Sequence, residues 1–510
     1  MLSPLTPLEF LVRSASVYRD RIAVVDHERS FTYGEFHQRA QRLAAALQGL
    51  GLVAGDRVAV LGFNGVMPLE AHFGPMLIGA VLVILNLRLA APELAWILQH
   101  SGARVLLVDP ELRHLAPKNT GLQVIEEYER FLAEAALPLS PAPITDENAL
   151  IAINYTSGTT GFPKGVMFSH RGAWVNAMGE LAEHNLDART VYLWTLPMFH
   201  CNGWCFTWAV TAAGGRHICL RKPDPAEVVR LIEAEGVTHL CGAPVVVASL
   251  AQYCAERGIR FSRPLRIVTA GAPPTPAVIR AAEETGAELS HVYGLTETYG
   301  PHTICLPKPE WQDMAPADRA QVKARQGVAY LIAGTGLRVV DDHMSDVPPD
   351  GVTMGEVLMR GNNVMLGYYE SPEATAEAFA GGWFHSGDLA VVHPDGYIEL
   401  RDRKKDIVIS GGENISSIEV EKVLADHPAV AEVAIVAMPD AKWGEVPKAY
   451  VGLKPGASVT CEELAAWCRT RLAHFKCPQV VEFGPLPRTA TGKIRKNELR
   501  ARTREKQAGQ

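Results

Sequence analysis

The spacing of apolar residues along most of the chain alternates between a helical and a strand-like pattern. Apolar positions that recur every three or four residues predict helices, and short continuous apolar runs predict strands. The predicted helices are Gly34–Gly49, Leu69–Gly79 and Ala91–Ser101, and the predicted strands are Arg57–Phe63, Val81–Leu85 and Arg104–Val108. Such alternation predicts an α/β fold, in which helices cover the faces of parallel-rich sheets.

The pattern changes near Asp402, where a charged run precedes a Ser-Gly-Gly turn. The segments that follow predict a small α+β unit with helices Ile418–Leu424 and Glu462–Phe475 and strands Val430–Ala437, Lys448–Leu453 and Val480–Phe483. A chain of 510 residues exceeds what one hydrophobic core usually supports. We therefore predict two domains, 1–402 and 403–510, with the boundary at Asp402–Lys405.

Composition excludes several classes of protein. The formal net charge is −7, which argues against a general nucleic-acid binder. Nine cysteines occur without a Cys-x-x-Cys pair, so a zinc site or redox dithiol is not expected, and unpaired thiols suit a reducing cytosol. The N-terminus lacks the pattern of a signal peptide, and the longest apolar stretch, Pro75–Leu85, is too short to span a bilayer. We expect a cytoplasmic protein without a membrane segment.

The segment Tyr155–Gly165 concentrates hydroxyls, glycines and one lysine after an apolar run. Glycines let backbone N–H groups approach phosphate oxygens, hydroxyls add hydrogen bonds, and a lysine adds positive charge. The segment differs from a Walker loop because Lys164 lies between Pro163 and Gly165 and is not followed by Ser or Thr. It predicts a polyphosphate-binding loop of another kind.

Four further segments carry candidate chemistry, although each also has an ordinary structural interpretation. Tyr293–Thr298 offers an aromatic ring and a carboxylate beside hydroxyls, but it could simply end a strand. Asp388 follows a Ser-Gly turn, where it could bind ribose hydroxyls or cap the turn. The charged segment that begins at Asp402 could be a solvated surface, and Lys493 of the loop Pro487–Ile494 could be an ordinary surface lysine.

Taken together and in this order, the five segments resemble those of the adenylate-forming superfamily, which includes acyl-CoA synthetases, adenylation domains of peptide synthetases and firefly-type luciferases. The resemblance extends from about Thr6 to Arg500, nearly the whole chain. It implies a large N-terminal α/β domain with a β-subdomain and a small, mobile α+β C-terminal domain. It also implies a reaction in which a carboxylic acid and Mg·ATP give an acyl adenylate and pyrophosphate, after which coenzyme A gives acyl-CoA and AMP.

The resemblance assigns roles residue by residue. The residues that it implies for ATP or AMP binding are Thr156, Ser157, Gly158, Thr159, Thr160, Gly161, Lys164, Gly271, Ala272, Pro273, Tyr293, Gly294, Leu295, Thr296, Asp388, Arg403 and Lys493. Thr156 and Glu297 would bind Mg²⁺. The catalytic residues would be Lys493, Glu297, Thr296 and His200.

Two further sets come from the same resemblance. Gly411, Gly412, Glu413 and Trp443 would contact coenzyme A, and Lys405 would be the pivot about which the small domain rotates between the two half-reactions. The implied partners are small molecules, namely a carboxylic acid, ATP and coenzyme A, and a homodimer is common among long-chain members.

The segment Leu196–Trp204 bears on the acid. Amino-acid-activating relatives carry an aspartate where this chain has His200, so a free amino acid is disfavoured. The acyl-pocket candidates are His200, Trp204, Val246, Gly271 and Gly294; for His200 and Trp204 the alternative, less favoured, is that they are buried core residues. The resemblance implies a medium- or long-chain fatty acid, or another acid with an uncharged tail such as methylmercaptopropionate.

Two alternative functions share these motifs. An acyl-adenylating enzyme would load a carrier protein, although no carrier domain follows Arg500 in this sequence. A luciferase-like oxygenase would use the same adenylation site. A carrier-loading enzyme would form the thioester with a carrier protein but little with free coenzyme A. A luciferase-like oxygenase would consume oxygen.

Overall fold

The computed structural model describes residues 3–117, 121–137, 139, 141–156, 163–404, 406–410, 413–440, 443–488 and 493–508. The helices within these ranges are α1 (Leu8–Val17), α2 (Tyr33–Gly49), α3 (Val66–Ala71), α4 (Ala91–Ser101), α5 (Tyr128–Ala133), α6 (His170–Glu183), α7 (Cys201–Trp204), α8 (Phe206–Ala213), α9 (Pro225–Glu235), α10 (Pro244–Arg257), α11 (Pro276–Glu284), α12 (Pro316–Lys323), α13 (Pro372–Ala378), α14 (Ser417–Ala425), α15 (Cys461–Arg469) and α16 (Lys496–Ala508).

The strands cover much of the rest of the described chain. They are β1 (Ile22–Asp26), β2 (Arg29–Thr32), β3 (Arg57–Leu61), β4 (Val81–Ile84), β5 (Ala103–Val108), β6 (Gln123–Ile125), β7 (Leu150–Tyr155), β8 (Gly165–Ser169), β9 (Val191–Trp194), β10 (Arg216–Cys219), β11 (His239–Gly242), β12 (Leu265–Thr269), β13 (Ala287–Leu295), β14 (Gly300–Ile304), β15 (Val328–Ala329), β16 (Leu337–Val340), β17 (Gly355–Met359), β18 (Gly367–Tyr368), β19 (Phe384–Val392), β20 (Ile398–Arg403), β21 (Val408–Ser410), β22 (Glu413–Ile415), β23 (Val430–Asp440), β24 (Gly444–Leu453) and β25 (Val480–Phe483).

The chain divides into two compact units. The first contains residues 1–337 and 358–384, and the second contains residues 338–357 and 385–510. The boundary at Asp402–Lys405 was predicted as a domain boundary and pivot, and it stays a prediction; Lys405 lies outside the described residues.

Two large sheets organise the first unit. One has the strand order β15-β14-β13-β12-β11-β9-β10-β1-β2, and the other has the order β18-β8-β7-β4-β3-β5-β6. Their inner strands pair in parallel, whereas β2, β8, β14, β15 and β18 pair in antiparallel fashion. Helices α9, α10 and α11 bury apolar side chains against the nine-stranded sheet. This architecture is the α/β arrangement that the alternating pattern predicts.

The helix predicted over Leu69–Gly79 is wrong as one element. The structure has the short helix α3 and then a separate 3₁₀ turn, Pro75–Ile78. Proline has no N–H with which to continue a helix, and its ring clashes with the preceding turn, so the helix ends before Pro75. The helix predicted over Glu462–Phe475 also ends early, at Arg469, and a 3₁₀ turn follows at His474–Lys476.

Two sheets form the second unit. The order β16-β17-β19-β20 defines the first sheet, and the order β22-β21-β24-β23 defines the second, with β25 added beside β24. Helices α14 and α15 cover one face of the second sheet through buried Val420, Leu424 and Leu464. Helix α16 covers the opposite face through Leu499, which is packed with Tyr450 and Leu486.

No helix in the described ranges is long and apolar enough to cross a membrane. The same ranges contain no group of three or more His, Cys, Asp or Glu side chains arranged to hold a metal ion.

A buried ion pair joins three helices of the first unit. Glu70 of α3 is fully buried and accepts hydrogen bonds from Arg39 Nε of α2, at 2.5 Å, and from the Tyr128 hydroxyl of α5, at 2.6 Å. Burial raises the pKa of Glu70 to about 7, although Arg39 acts in the opposite direction. Arg39 also binds Glu129, at 2.8 Å. Removing one member of a buried pair leaves an uncompensated charge, so this network should be necessary for stability.

We expect Arg39→Met to lower the free energy of unfolding by about 3–5 kcal/mol in urea titrations, because Glu70 would remain buried without its cation. The loss should shrink at mildly acidic pH, where protonation removes the unpaired charge. Arg130→Met is the matched control, because its pairs with Glu127 and Glu134 are exposed. An equal effect of both substitutions, or a loss independent of pH, would contradict this account.

Candidate active site

The base of the predicted phosphate loop is a strand pair at the edge of the parallel part of the seven-stranded sheet. Tyr155, the last residue of β7, lies opposite Gly165, the first residue of β8. The Thr156 N–H donates to the Lys164 carbonyl at 3.0 Å, which closes the loop. Ser157, Gly158, Thr159, Thr160 and Gly161, which were predicted to bind phosphates, lie outside the described residues.

Tyr368 connects two of the predicted site residues. Its hydroxyl donates to Glu297 Oε1 at 2.8 Å, and Lys164 Nζ lies 4.7 Å from the centre of its ring. Burial, together with the Glu297 carboxylate, holds the pKa of the Tyr368 phenol well above its usual range, so the phenol remains a donor. The structure therefore links the phosphate-loop lysine to the carboxylate predicted to bind Mg²⁺ through one side chain.

Backbone hydrogen bonds also connect the segment that contains Tyr368 with Glu297 and with the base of the predicted phosphate loop. Tyr368 belongs to β18, which pairs with β8 through Val166. The Met365 N–H donates to the Glu297 carbonyl at 2.7 Å, and the Tyr369 N–H donates to the Gly165 carbonyl at 2.7 Å. The segment 365–369 thus fixes the position of the Glu297 loop relative to the base of the phosphate loop.

A small cavity lies where three predicted site segments meet. The end of β7, the segment that contains His200, and Thr296 all contribute to its wall. Its lining residues are Ile84, Leu85, Asn86, Leu89, Ile97, Asn154, Tyr155, Phe199, His200, Cys201 and Thr296. None of these side chains is a carboxylate, a lysine or an arginine. The lining therefore mixes apolar side chains with neutral polar groups and offers no charged partner to a ligand beside Thr296.

The wall beside Thr296 contains α7, whose backbone is left-handed, so that it forms a left-handed turn and not an ordinary α-helix. Cys201, Asn202, Gly203, Trp204 and Cys205 all have φ between +45° and +63°. Each non-glycine residue in this conformation costs roughly 1–2 kcal/mol. Packing must hold the turn in place: a Cβ at Gly203 would lie 2.7 Å from the Trp194 ring, and one at Gly300 would lie 3.3 Å from the Trp204 Cβ.

This turn joins the predicted acyl pocket to the predicted adenylation residues. Cys201 Sγ lies 3.6 Å from Thr296 Oγ1. The Asn176 side-chain amide donates to Cys205 Sγ, at 3.3 Å, and to the Tyr299 carbonyl, at 2.8 Å. Trp204 is buried, while His200, at the start of the turn, is half-buried and faces the cavity. A change in the conformation of this turn would therefore alter the surroundings of Thr296.

Gly294 is required for a backbone reason. A Cβ at this position would collide with the carbonyl oxygen of Gly300, where β13 and β14 shift register. Tyr293 is buried on β13 opposite Thr303, and Leu295 ends that strand. Thr296 and Glu297 then form a 3₁₀ turn at the end of β13.

The segment Gly271–Pro273 follows β12, the neighbour of β13 in the nine-stranded sheet. Gly271 has φ of +88°, a conformation that favours glycine, and Ala272 is exposed. Val246 of α10 lines a different cavity, together with Thr195, Leu240 and Leu250. The structure thus places His200 and Thr296 at one cavity and Val246 at another.

The second unit contains the predicted ribose-binding pair. Asp388 of β19 and Arg403 of β20 are opposite each other in the antiparallel ladder. Arg403 Nε lies 3.3 Å from Asp388 Oδ1. The Asp388 N–H donates to Ser386 Oγ at 3.1 Å, and that hydroxyl donates to the Val357 carbonyl at 2.6 Å. A carboxylate and a guanidinium held side by side could bind vicinal hydroxyl groups.

The other predicted residues of the second unit lie in loops and at sheet edges. Lys493 is exposed and directly precedes Ile494, which bridges to Arg488. Trp443 is exposed, and its N–H donates to Asp440 Oδ1 at 2.8 Å. Glu413 begins β22. Gly411 and Gly412 lie outside the described residues.

Sequence reasoning missed Tyr368 and the left-handed turn. The only signal for the turn is the Asn202-Gly203 pair, since asparagine and glycine tolerate positive φ better than other residues. Tyr368 gives no comparable signal, because its role depends on the pairing of β18 with β8.

Two family models match the chain. One, described as AMP-binding enzyme, matches residues 11–369. The other, described as AMP-binding enzyme C-terminal domain, matches residues 419–493. Together they cover segments from both units.

Named relatives match nearly the whole chain. The 4-hydroxybutyrate–CoA ligase 2 of Metallosphaera sedula is 45% identical over 99% of this chain and 95% of its own length. An acetate–CoA ligase of Humulus lupulus is 45% identical over 98% of this chain and 95% of its own length. A peroxisomal acetate/butyrate–CoA ligase of Arabidopsis thaliana is 43% identical over the same shares.

Solved structures match over a similar extent. The o-succinylbenzoate coenzyme A synthetase of Bacillus subtilis, in complex with ATP and magnesium ion, has a TM-score of 0.85 at 28% identity, covering 96% of this chain and 99% of its own. The ATP-bound MatB of Rhodopseudomonas palustris has a TM-score of 0.84 at 28% identity, covering 97% of this chain and 98% of its own.

We expect Tyr368→Phe to raise the Mg²⁺ concentration needed for half-maximal activity by about 10-fold, because the Glu297 carboxylate would lose the hydrogen bond that orients it. A Mg²⁺ titration at saturating ATP measures this change. The matched control is Tyr369→Phe, which should leave the titration unchanged. If both variants behave like the original protein, Tyr368 does not orient the carboxylate that is predicted to bind Mg²⁺.

Proposed function

The chain belongs to the AMP-binding enzyme family and is an AMP-forming acyl-CoA synthetase, and we propose that it activates short carboxylic acids with uncharged tails. The observation that carries the proposal is the small cavity beside Thr296, whose described lining contains no acidic side chain, lysine or arginine. The family membership confirms the acid–thiol ligase activity and the fold class predicted from the sequence.

The chemistry uses ATP, Mg²⁺ and coenzyme A. A free carboxylate is a poor electrophile, and its oxygen is a poor leaving group. A thiol therefore cannot displace that oxygen directly. Attack of a carboxylate oxygen on the α-phosphorus breaks the bond to the β-phosphate, and pyrophosphate leaves with the electron pair. The thiolate of coenzyme A then attacks the acyl carbon, and AMP leaves. The protein contributes positioning and electrostatic stabilisation.

We propose that the first unit binds the triphosphate and the acid. Lys164 and Thr156, at the base of the loop, would contact the β- and γ-phosphates. Glu297, oriented by Tyr368, would bind the Mg²⁺ of Mg·ATP, which prefers oxygen ligands. Thr296 would contact the α-phosphate, at the point where its hydroxyl meets the cavity. The carboxylate of the acid would then attack the α-phosphorus beside Thr296, within the cavity.

We propose that the second unit binds ribose and supplies a cation. Asp388 would accept hydrogen bonds from the ribose hydroxyls, with Arg403 beside it. Lys493 would neutralise the charge that develops between the carboxylate and the α-phosphate. Its exposure and its position in a loop agree with a residue that reaches a substrate. Trp443, exposed at the end of a strand pair, would contact the nucleotide of coenzyme A.

The proposed size of the acid is supported by the turn next to His200 and by the names of the relatives. Trp204 is buried against the backbone of Gly300, so the tail has little room to extend past the turn. The relatives are named for acetate, butyrate and 4-hydroxybutyrate, which are all short acids. Both points favour the short end of the range over the medium- and long-chain acids expected from the sequence motif.

We expect Lys493→Ala to lower ATP–pyrophosphate exchange by at least about 100-fold, because the transition state loses its cation. The same variant should convert supplied acyl adenylate and coenzyme A to acyl-CoA at nearly the original rate. Arg504→Ala, on an exposed position of α16, is the control. Equal loss of both half-reactions would contradict the proposed role of Lys493.

A panel of acids tests the proposed substrate class, with AMP release as the readout. We expect kcat/KM to be greatest for propionate, butyrate, 4-hydroxybutyrate or 2-methylpropanoate and at least about 100-fold lower for palmitate. Trp204→Ala should move the optimum towards longer acids, whereas Trp204→Phe should keep it. A preference of the original protein for palmitate would refute the short-acid proposal.

We also propose a cytoplasmic location. All nine cysteines are free thiols, which suits a reducing compartment. Some relatives carry peroxisomal names, so fractionation of cells that make the protein is the deciding test, with cytosolic activity as the expected result.

A further inference from the structure

Helix α16 begins three residues after Lys493 and is anchored in the second unit. Its Leu499 is fully buried against the sheet, beside Tyr450 and Leu486. The Tyr450 hydroxyl donates to the Leu499 carbonyl at 3.3 Å and lies 2.8 Å from Thr503 Oγ1. The Arg495 N–H donates to the Pro487 carbonyl at 2.8 Å, which closes the base of the Lys493 loop. The position of this loop therefore depends on the position of α16.

Lys496, the first residue of α16, contacts one carboxylate and one hydroxyl group of α14. Its Nζ lies 2.7 Å from Glu421 Oε1 and donates to Ser417 Oγ at 2.6 Å. Burial alone would lower the pKa of Lys496, but Glu421, Asp402 and Asp406 outweigh burial and raise that pKa, so the ammonium group stays charged. Glu421 and Ser417 of α14 thus hold the charged ammonium group of Lys496 in place.

Asp402 belongs to the same group of charges. This buried carboxylate accepts hydrogen bonds from the Ser417 N–H, at the start of α14, and from the Arg403 N–H, at 2.7 Å. A carboxylate at a helix N-terminus is stabilised by the unpaired N–H groups there. Asp402 therefore connects the end of β20 with α14, and Ser417 links it to Lys496.

Arg500 lies one helical turn after Lys496 and pairs with Asp406. Residues four apart in a helix share one face. Arg500 therefore pairs with the carboxylate after residue 405, whereas Lys496 is linked to Asp402, before it, through Ser417, which accepts from Lys496 and donates its N–H to Asp402. The structure places the C-terminal helix against the segment that was predicted from the sequence to be the pivot.

We propose that Arg500, paired with Asp406, and Lys496, linked to Asp402 through Ser417, are positioning residues that hold the residues on either side of position 405 against the helix behind Lys493, and that this clamp sets the rate of adenylation. The inference rests on the proposed role of Lys493. If the clamp fixes the position of Lys493 relative to the predicted pivot, weakening the clamp should slow adenylation, the half-reaction that needs Lys493. The other half-reaction, from acyl adenylate to acyl-CoA, should be affected much less.

The test measures the two half-reactions separately in purified full-length protein. Two variants loosen the clamp: Arg500→Met, and Lys496→Met combined with Glu421→Gln, which avoids leaving a buried charge unpaired. We expect ATP–pyrophosphate exchange with butyrate to fall by about 10-fold or more in each, while conversion of supplied butyryl adenylate and coenzyme A falls by no more than about twofold. Arg500→Lys, which keeps the charge, should recover most of the exchange.

Arg504→Met is the matched control, since Arg504 is exposed on the same helix, and it should change neither rate. Equal loss of both half-reactions in the clamp variants, with unchanged melting temperature, would overturn the proposal. A greater loss of thioester formation would overturn it as well. Lys493→Ala separates this inference from the proposed function: if that variant loses exchange while the clamp variants keep it, only the clamp is wrong.

Discussion

The hydrogen bond between Tyr368 and Glu297 is the interaction on which the first unit's part of the site depends. It places a carboxylate at a fixed distance from the base of the phosphate loop, and the Tyr368 ring also faces the ammonium group of Lys164. An enzyme that splits ATP between the α- and β-phosphates must hold the departing pyrophosphate and its metal in one arrangement. The short strand β18 pairs with β8, and Tyr368 of β18 bonds Glu297, so the Glu297 loop is held beside the base of the predicted phosphate loop, as the proposed function requires.

The left-handed turn at Cys201–Cys205 is the corresponding constraint on the acid. Several residues in an unfavourable backbone conformation persist only where their surroundings hold them. Here the Trp194 ring, the Gly300 backbone and the Asn176 amide do so. Cys201 of this turn and the preceding residue, His200, both line the cavity, and Cys201 contacts Thr296. The predicted acyl wall and the predicted adenylation loop therefore form one packed structure, so under the proposed function a tail that fits poorly would slow adenylation itself.

Much of the fold could be predicted because its elements are encoded locally. The helix Ala91–Ser101 and the strand Val480–Phe483 follow directly from apolar spacing, whereas Leu69–Gly79 does not form one helix because Pro75 interrupts it. Sequence motifs identified Asp388 and Arg403, and the structure places them opposite each other in one ladder. The roles predicted for the site residues stay predictions. Tyr368, the left-handed turn and the Lys496–Arg500 face could not be predicted, because each depends on contacts between segments far apart in the chain.

The proposed reaction begins with the attack of a carboxylate oxygen on the α-phosphorus of ATP. The most direct test is the turnover of butyrate labelled with ¹⁸O in the carboxylate, followed by mass spectrometry of the nucleotide product. Because the attacking oxygen stays on phosphorus when the thiol displaces AMP, the account predicts AMP that carries one ¹⁸O atom and unlabelled pyrophosphate. Label in inorganic phosphate with formation of ADP, or AMP without label, would contradict it.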